Sequence, residues 1–534
     1  MRLVKASDMQ EMDRFTIEEA GIAGIVLMEN AARGATRVFL EHFEPPRNSR
    51  VLFLCGRGNN GGDGYVMARY LHERGYGVTV LILSEYGKIT GDALTNLNIA
   101  RRLGIELREV PRIEDWNTCR DLLAASDFII DGILGTGLNS PVRGYYKQVI
   151  EDLNASGKPV MAIDIPSGLH ADTGAVMGAA VGADLTATFG FPKLGQLLFP
   201  GASLVGRLVR IDIGIPREAA ERVPAQYRLI ESRDLKELLR VEAQDIHKGH
   251  RGHLLVLAGS TGKTGAAALA CLGALRAGSG LVTLGVPRSL NSILEGKLTE
   301  AMTYPLPETD AGTLALGGEE QILDLLQGKT ALALGPGLST HEETVLLVRR
   351  LVSQCPVPLV VDADGLNALA GDLTPLRSCK GRGILTPHPG EMARLAGLTN
   401  SHVQADRVGV ARRFAQDHGC HLVLKGARSL IARPDGLIHV NPTGNPALAS
   451  GGSGDVLTGL VGAFLARGFP PEKAAMSGVY LHGLAADVLA EDMGEAGVLA
   501  GDLPEVIPSL MDDLSQGEWP LESDPPETDF YHPL

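Results

Sequence analysis

Short apolar runs alternate with helix-length amphipathic stretches along nearly the whole chain. This alternation admits little besides βαβ units wound around largely parallel sheets. The runs Val51–Cys55, Val78–Leu83, Phe128–Asp131, Val160–Asp164, Leu185–Phe189 and Leu208–Ile213 form a first series of predicted strands. Ser7 and Gln10 have capping-box spacing for an opening helix, ahead of an apolar helix around Ile25–Phe39. After Gly214-Ile215-Pro216 the pattern stops, and residues 216–250 are charged and carry no predicted strand, which suits a linker and an entry segment. A second series runs through Leu254–Ala258, Leu281–Gly285, Ala331–Gly335, Pro358–Asp362, Gly383–Thr386, Leu422–Lys425 and Ser429–Ala432, then ends in helices after Gly454. The halves share no period, so the chain reads as a fusion and not a repeat. The tail Gly517–Leu534 holds Pro520, Pro525 and Pro526 among Glu518, Glu522, Asp524, Glu527 and Asp529, and is expected to be disordered.

At 534 residues the chain is too long for one core and suits two large α/β domains. Glycine, 66 of 534 residues, is well above the ~7% of an average chain, which points to tight turns and close backbone approaches to ligands. The 49 basic and 63 acidic residues leave a net charge of −14, which repels a phosphate backbone, so no nucleic acid partner is expected. No apolar run approaches the ~18 residues that span a bilayer, so no membrane partner is expected either. Cys55, Cys119, Cys271, Cys355, Cys379 and Cys420 are scattered without metal-ligand spacing and read as reduced core residues. The start MRLVKASDMQEMD turns polar at once and lacks an apolar h-region, so the expected location is cytoplasmic.

The predicted strand Val51–Cys55 runs into Gly56-Arg57-Gly58-Asn59-Asn60-Gly61-Gly62-Asp63-Gly64 and then a helix through Tyr65–Arg74. Gly56, Gly58 and Gly61 satisfy G-x-G-x-x-G between strand and helix, where bare amides and a helix N-terminus can hold a pyrophosphate. Asp63 is an anion inside that nest, and the carbonyl oxygens of Asn59 and Asn60 suit a hard cation. The loop therefore reads as a substrate site and not as an ordinary dinucleotide-cofactor site. Two more predicted strands end in polar clusters, Asp131 before Gly132–Leu138 and Asp164 before Ile165–Gly168. Neighbouring parallel strands share a crevice at their carboxyl ends, so Asn60, Asp63, Asp131, Asp164 and Ser167 are expected to converge there. One carboxylate then has a cation to ligate and another acid/base work to do.

Met28-Glu29-Asn30-Ala31, Gly56–Gly64, Asp131–Gly137 and Asp164–Gly168 together resemble the NAD(P)H-hydrate epimerase family, over essentially residues 1–215. The resemblance implies a Rossmann-like three-layer domain. It places substrate on Asn59, Asn60, Gly61, Gly62 and Asp63, on Gly135, Thr136, Gly137, Leu138, Asn139, Ser140 and Pro141, and on Asp164. It also implies potassium held by Asn60, Asp131 and Ser167. Asp164 is the expected acid/base. A related domain serves as a scaffold in RNA-decay proteins, so fold alone does not establish activity.

In the second half, Ala258-Gly259-Ser260-Thr261-Gly262-Lys263-Thr264 falls short of a P-loop, which needs glycine where Leu257 stands. Lys263 then reads as an exposed loop lysine. The stronger signal is Asn445–Gly459, where Gly451, Gly452, Ser453 and Gly454 are expected to present free amides at a helix N-terminus, an anion hole for a phosphoryl group. Asp455 sits beside that phosphate, where its better use is as a base on a substrate hydroxyl.

This G-x-G-D element resembles the ribokinase-like superfamily. Gly335-Pro336-Gly337-Leu338, Asp362–Asn367, Thr386-Pro387-His388-Pro389-Gly390-Glu391 and Leu424-Lys425-Gly426-Ala427 narrow the resemblance to ADP-dependent NAD(P)H-hydrate dehydratase, over roughly residues 230–510. It implies a ribokinase-like three-layer domain in which Ala266, Gly337, His388 and Asp455 bind the hydrated dinucleotide. Lys425, Gly426, Ala427, Arg428 and Ser429, with Gly451–Gly454, bind the adenine nucleotide, and magnesium accompanies ADP. The organisation expected is an epimerase domain over 1–216, a linker over 217–229, a dehydratase domain over 230–512 and a disordered tail over 513–534, in a homo-oligomer. Two rivals stand beside this reading: a vitamin or sugar kinase in the second half, which leaves a stable phosphorylated product, and a scaffold in the first.

Overall fold

The computed structural model describes residues 1–236, 238–239, 247–517 and 527–528. The chain divides into two compact units between Tyr227 and Arg228. In the first, strands run side by side in the order Arg207–Ile211, Leu185–Phe189, Val160–Ile163, Phe128–Gly132, Arg50–Cys55, Gly77–Ile82 and Glu106–Glu109, each neighbouring pair parallel. Alternate side chains supply two cores: Val51, Phe53 and Cys55 join one, Leu52 and Leu54 the other. A period of two on a sheet buried on both faces gives three layers.

From Arg50–Cys55 the chain steps outward through Gly77–Ile82 to Glu106–Glu109, then returns to Phe128–Gly132 on the opposite side. The strand order therefore reverses between Arg50–Cys55 and Phe128–Gly132, which opens a crevice beyond their carboxyl ends. The second unit repeats the principle with its own strands. His253–Leu257 is flanked by Leu281–Pro287 and Met302–Leu306 on one side, and by Ala331–Leu334, Leu359–Val361, Gly383–Leu385 and His421–Leu424 on the other. Those pairs are parallel, and Leu430–Ala432 and Ile438–Val440 extend the sheet antiparallel.

Several expectations need correction. The opening helix is Ala6–Glu18, and Asp8 caps it by accepting from the Lys5 amide at 2.9 Å, so Ser7 and Gln10 are not its box. The helix after the first glycine loop starts at Asn59, inside that loop. The linker is structured: Arg217–Arg222 is helical and Tyr227–Leu229 is a strand beside Ile438–Val440, with the Ile230 amide donating to Val440 at 3.0 Å. The last helix, Leu503–Gln516, covers the start of the expected tail, and Glu527–Thr528 pairs in parallel with Val209 and Arg210. The rest of the tail lies outside the described residues, as do positions 237 and 240–246 of the entry segment. All six cysteines are buried free thiols. Among the described residues no helix is long and apolar enough to cross a membrane.

Two helices of the second unit cross closely enough to fix where their N-terminal loops emerge. A Cβ on Gly459, in Ser453–Ala466, would lie 2.1 Å from the Ala270 carbonyl oxygen of Thr264–Arg276. Gly273 faces the Val456 carbonyl oxygen less tightly, at 2.7 Å, still too close for a Cβ. Gly459→Ala is therefore expected to destabilise the second unit by about 1–3 kcal/mol through overpacking. Gly265→Ala, where a Cβ meets open space, is expected to be neutral or stabilising by up to ~1 kcal/mol. Urea denaturation of both variants checks this, and equal midpoints would show that the crossing tolerates the methyl group.

Candidate functional site

At the first crevice, backbone meets backbone. A Cβ on Gly56 would lie 1.9 Å from the Ile133 carbonyl oxygen and one on Gly61 2.1 Å from that of Gly56, so both glycines serve close approach. The Gly56 amide is spent on Gly132 at 2.9 Å and is not a bare donor. A cavity of about 920 Å³ opens here, and its wall includes Asn59, Asn60, Asp63, Asp164 and the run Gly135–Ser140. Gly61, Gly62 and Pro141 are not part of that wall, and Gly62 packs against Met28.

Beneath the wall, Asp131 and Ser167 are fully buried. The Ser167 hydroxyl and amide donate to Asp131 Oδ1 and Oδ2 at 2.5 and 2.7 Å, and the same hydroxyl accepts from the Leu134 amide at 2.8 Å. Asn60 Nδ2 donates to the Leu134 carbonyl at 3.1 Å, which leaves Asn60 Oδ1 buried with no hydrogen-bond partner. Burial raises the Asp131 pKa to about 6 against the pull of the Ser167 hydrogen bonds. The three residues expected to hold a cation thus converge with one acceptor oxygen unspent.

Asp164 has φ 63°, in the left-handed region uncommon for a residue with a Cβ. Its Oδ1 accepts from the Phe189 amide at 3.0 Å and pairs with Lys193, and its own carbonyl accepts from Gln196 Nε2 at 2.7 Å. Lys193 is 0% exposed and also donates to Thr188 Oγ1 and the Phe189 carbonyl, at 3.1 and 3.0 Å. Asp63 shares this wall, and burial together with the charges of Asp164 and Asp13 holds its carboxyl well above the ordinary range.

In the second unit the loop after His253–Leu257 is tied to the loop after Ala331–Leu334. The Gly259 amide donates to Pro336 at 2.8 Å and Ser260 Oγ to Gly337 at 2.7 Å, while a Cβ on Gly337 would meet Lys263 and Ala266. Lys263, half-exposed as a loop lysine should be, pairs with Asp364 at 2.9 Å. Buried Asp362 accepts from Lys425 at 2.7 Å and from Thr458 at 2.7 Å. Glu391 lies 3.8 Å from the same lysine. Burial works against the charge on Lys425, but the carboxylates of Asp362 and Glu391 leave its pKa above the ordinary value. A Cβ on Gly454 would lie 3.4 Å from Lys425 Nζ, so the glycine turn faces this cluster.

Asp455 follows on the first turn of Ser453–Ala466, its carboxylate without a hydrogen bond among the described residues. Burial and the neighbouring Asp362 charge raise its pKa to about 6. The amides of Gly451, Gly452 and Gly454 have no backbone acceptor among the described residues, whereas the Ser453 hydroxyl turns inward to Leu448 at 2.8 Å. His388 caps Pro389–Ala396, its Nδ1 accepting from the Gly390 amide at 3.0 Å with the ring half-exposed. In the run Lys425–Ser429, the Arg428 guanidinium donates to the Pro442 carbonyl.

Residues 24–195 match the family described as YjeF-related protein N-terminus, and residues 254–509 the one described as NAD(P)H-hydrate dehydratase. The bifunctional NAD(P)H-hydrate repair enzyme Nnr of Moorella thermoacetica is 44% identical over 97% of this chain and 98% of its own. This chain belongs to the bifunctional NAD(P)H-hydrate repair family. The Thermofilum pendens member is 39% identical over 96% of this chain and 98% of its own. A solved structure, the ADP/ATP-dependent NAD(P)H-hydrate dehydratase of Bacillus subtilis with ATP/Mg2+, is 31% identical, covering 54% of this chain and 98% of that one, with a TM-score of 0.46.

Some residues of this repair-family chain escape a reading by motif. Lys193 follows Phe191-Pro192 in an apolar segment, and its only signal is a charge where a core residue belongs. His482 is buried on Pro471–Met493, its Nε2 2.8 Å from the Ser453 carbonyl, and burial lowers its pKa to about 4, so the neutral ring donates to the glycine turn. Arg407 donates to Ala427 at 2.7 Å and to Leu424 and Lys425 at 3.3 Å, which shapes the loop beyond the lysine. Removing one partner of a buried pair costs about 3–5 kcal/mol. Lys193→Met is accordingly expected to loosen the first unit by that order, read as faster amide exchange in Val160–Ile163 and Leu185–Phe189. Unchanged protection there would show that the Asp164 pair carries no stability.

Proposed function

We propose that residues 1–216 interconvert the R and S epimers of NAD(P)H-hydrate at C6 and that residues 230–512 dehydrate the S epimer to NAD(P)H at the expense of ADP. The observation that carries the second activity is Asp455, a carboxylate with no hydrogen bond among the described residues, beside the open amides of Gly451, Gly452 and Gly454. Asp455 takes the proton of the C6 hydroxyl while that oxygen attacks the terminal phosphoryl of ADP. The P–O bond to AMP breaks, and the turn's amides with Lys425 stabilise the charge in transit. The phosphate then leaves as the ring nitrogen donates its electron pair to form a C6–N double bond, and loss of a C5 proton to water returns that pair to nitrogen and restores the C5–C6 double bond of the reduced ring. Magnesium would come in with the nucleotide, held by its phosphates and Glu391, whose Oε1 accepts no hydrogen bond among the described residues while Oε2 accepts from the His388 amide at 2.8 Å. His388, Gly337 and Ala266 then hold the hydrated dinucleotide, and the loop Lys425–Ser429 the adenine nucleotide.

In the first unit, Asp164 exchanges a proton with the C6 hydroxyl on its own side of the ring, and Lys193 holds its carboxylate in place. An all-oxygen set of Asn60, Asp131 and Ser167, with Asn60 Oδ1 unspent, fits potassium better than zinc. That ion would offset the substrate's pyrophosphate charge beside Asp63 and Asp131.

Recovery of 340 nm absorbance with release of free phosphate, when S-hydrate and ADP are added, tests the dehydratase reading. A stable phosphorylated product would instead make the unit a kinase. Asp455→Asn is expected to cut turnover by about 10²–10⁴-fold with nucleotide binding retained, and a loss below tenfold would remove Asp455 from the reaction. A base must be ionised, so the wild-type kcat/KM is expected to fall as pH drops below about 6. Epimerisation of R-hydrate is expected to need potassium over choline at equal ionic strength, and equal rates would reduce Asn60, Asp131 and Ser167 to turn formers.

A further inference from the structure

We propose that Asp13 is the second acid/base group of the epimerase cavity, serving the face of the substrate ring that Asp164 does not. This rests on the epimerase reading of the first unit. Inversion by loss and return of the C6 hydroxyl demands proton transfer on both faces of the ring, and a carboxyl placed on one face returns water only to the side it left.

Asp13 lies on Ala6–Glu18, and Met9, Asp13 and Ile17, one turn apart, line the same cavity as Asp164 and Lys193. Its Oδ1 is buried without a hydrogen-bond partner, so this oxygen is not spent on holding the helix. Burial above all raises its pKa to about 6, with Lys193 opposing and Asp164 supporting the rise, which puts it within electrostatic range of both. Asp164, in contrast, is paired to Lys193 and bonded by the Phe189 amide. One cavity thus holds a carboxyl with an unspent buried oxygen and another tied to a lysine and a backbone amide, two environments that divide acid from base.

The protonated Asp13 gives its proton to the C6 hydroxyl, the C6–O bond breaks and water departs. The ring nitrogen lone pair forms the C6–N double bond. Water then adds from the other face, the new C6–O bond returns that pair to nitrogen, and Asp164 accepts the proton. The reverse crossing or solvent exchange returns the proton to Asp13.

The test uses the full chain in potassium buffer and ¹⁸O-water without ADP, starting from each pure epimer. Wild type is expected to invert both and incorporate solvent oxygen; failure to invert would overturn the epimerase reading itself. Asp13→Asn is expected to slow inversion at least ~100-fold, while one epimer still exchanges its oxygen without inverting. Asp164→Asn is expected to leave exchange in the other epimer. Inversion slowed less than tenfold in Asp13→Asn, loss of exchange in both epimers together, or the split behaviour in Asp63→Asn in place of Asp13→Asn would each overturn the proposal.

Discussion

Each unit depends on a place where two loops at the carboxyl edge of a sheet touch with no side chain between them. Gly56 lies against Ile133 and Gly335 against Asp362, at distances of 1.9 and 1.8 Å for a Cβ that neither residue has. Loops so pressed cannot move independently; the first pair joins the two strands that flank the reversal of strand order, and the second joins Ala331–Leu334 to Leu359–Val361, one strand beyond the reversal. The ligand-facing groups are thereby held by main chain, which is stiffer than side-chain packing. The helix crossing at Gly459 applies the same economy one layer away.

On that frame both units build an electrostatic device of one type, a lysine sunk among carboxylates. Lys193 meets Asp164 with Asp63 and Asp13 near, and Lys425 meets Asp362 and Glu391 with Asp455 near. In each, one carboxylate is committed to the lysine while another, uncommitted, is left with a pKa near 6. Burial supplies the shift and the lysine limits it. The two chemistries differ through what surrounds the uncommitted carboxyl, an open cavity in the first unit and a turn of unspent amides in the second.

The architecture was legible because strands buried on both faces write themselves as continuous apolar runs, and the glycine loops because close approach leaves no alternative residue. Strands at or near an edge were not. Glu106–Glu109 is polar and largely exposed, Met302–Leu306 contains Pro305, and Ile438–Val440 and Tyr227–Leu229 are too short to show a period. Within the sites, Asn60, Asp131, Asp164 and Asp455 were found because they follow strands or glycines at spacings that chemistry demands. Lys193, Asp13, His482 and Arg407 reach their places only through tertiary packing, and no local pattern announces a side chain whose partner lies tens of positions or more away. Asp362 stood in a recognised motif, yet its partnership with Lys425 and Thr458 had no local sign. Arg428 shows the converse, a motif position whose side chain folds back on Pro442.

The burial of all six thiols has a chemical corollary. Burial raises the pKa of Cys55, Cys271, Cys355, Cys379 and Cys420, and a thiol that rarely ionises is a poor target for peroxides and alkylating agents. Cys55 is the telling case, since its sulfur lies 2.6 Å from where a Cβ on Gly64 would stand, directly under the first loop. A sulfenic acid there would have no room for its oxygen and would lift the loop from its strand. The fold protects this joint by withholding solvent from it, which gives an enzyme that mends a spoiled cofactor a measure of corrosion resistance of its own.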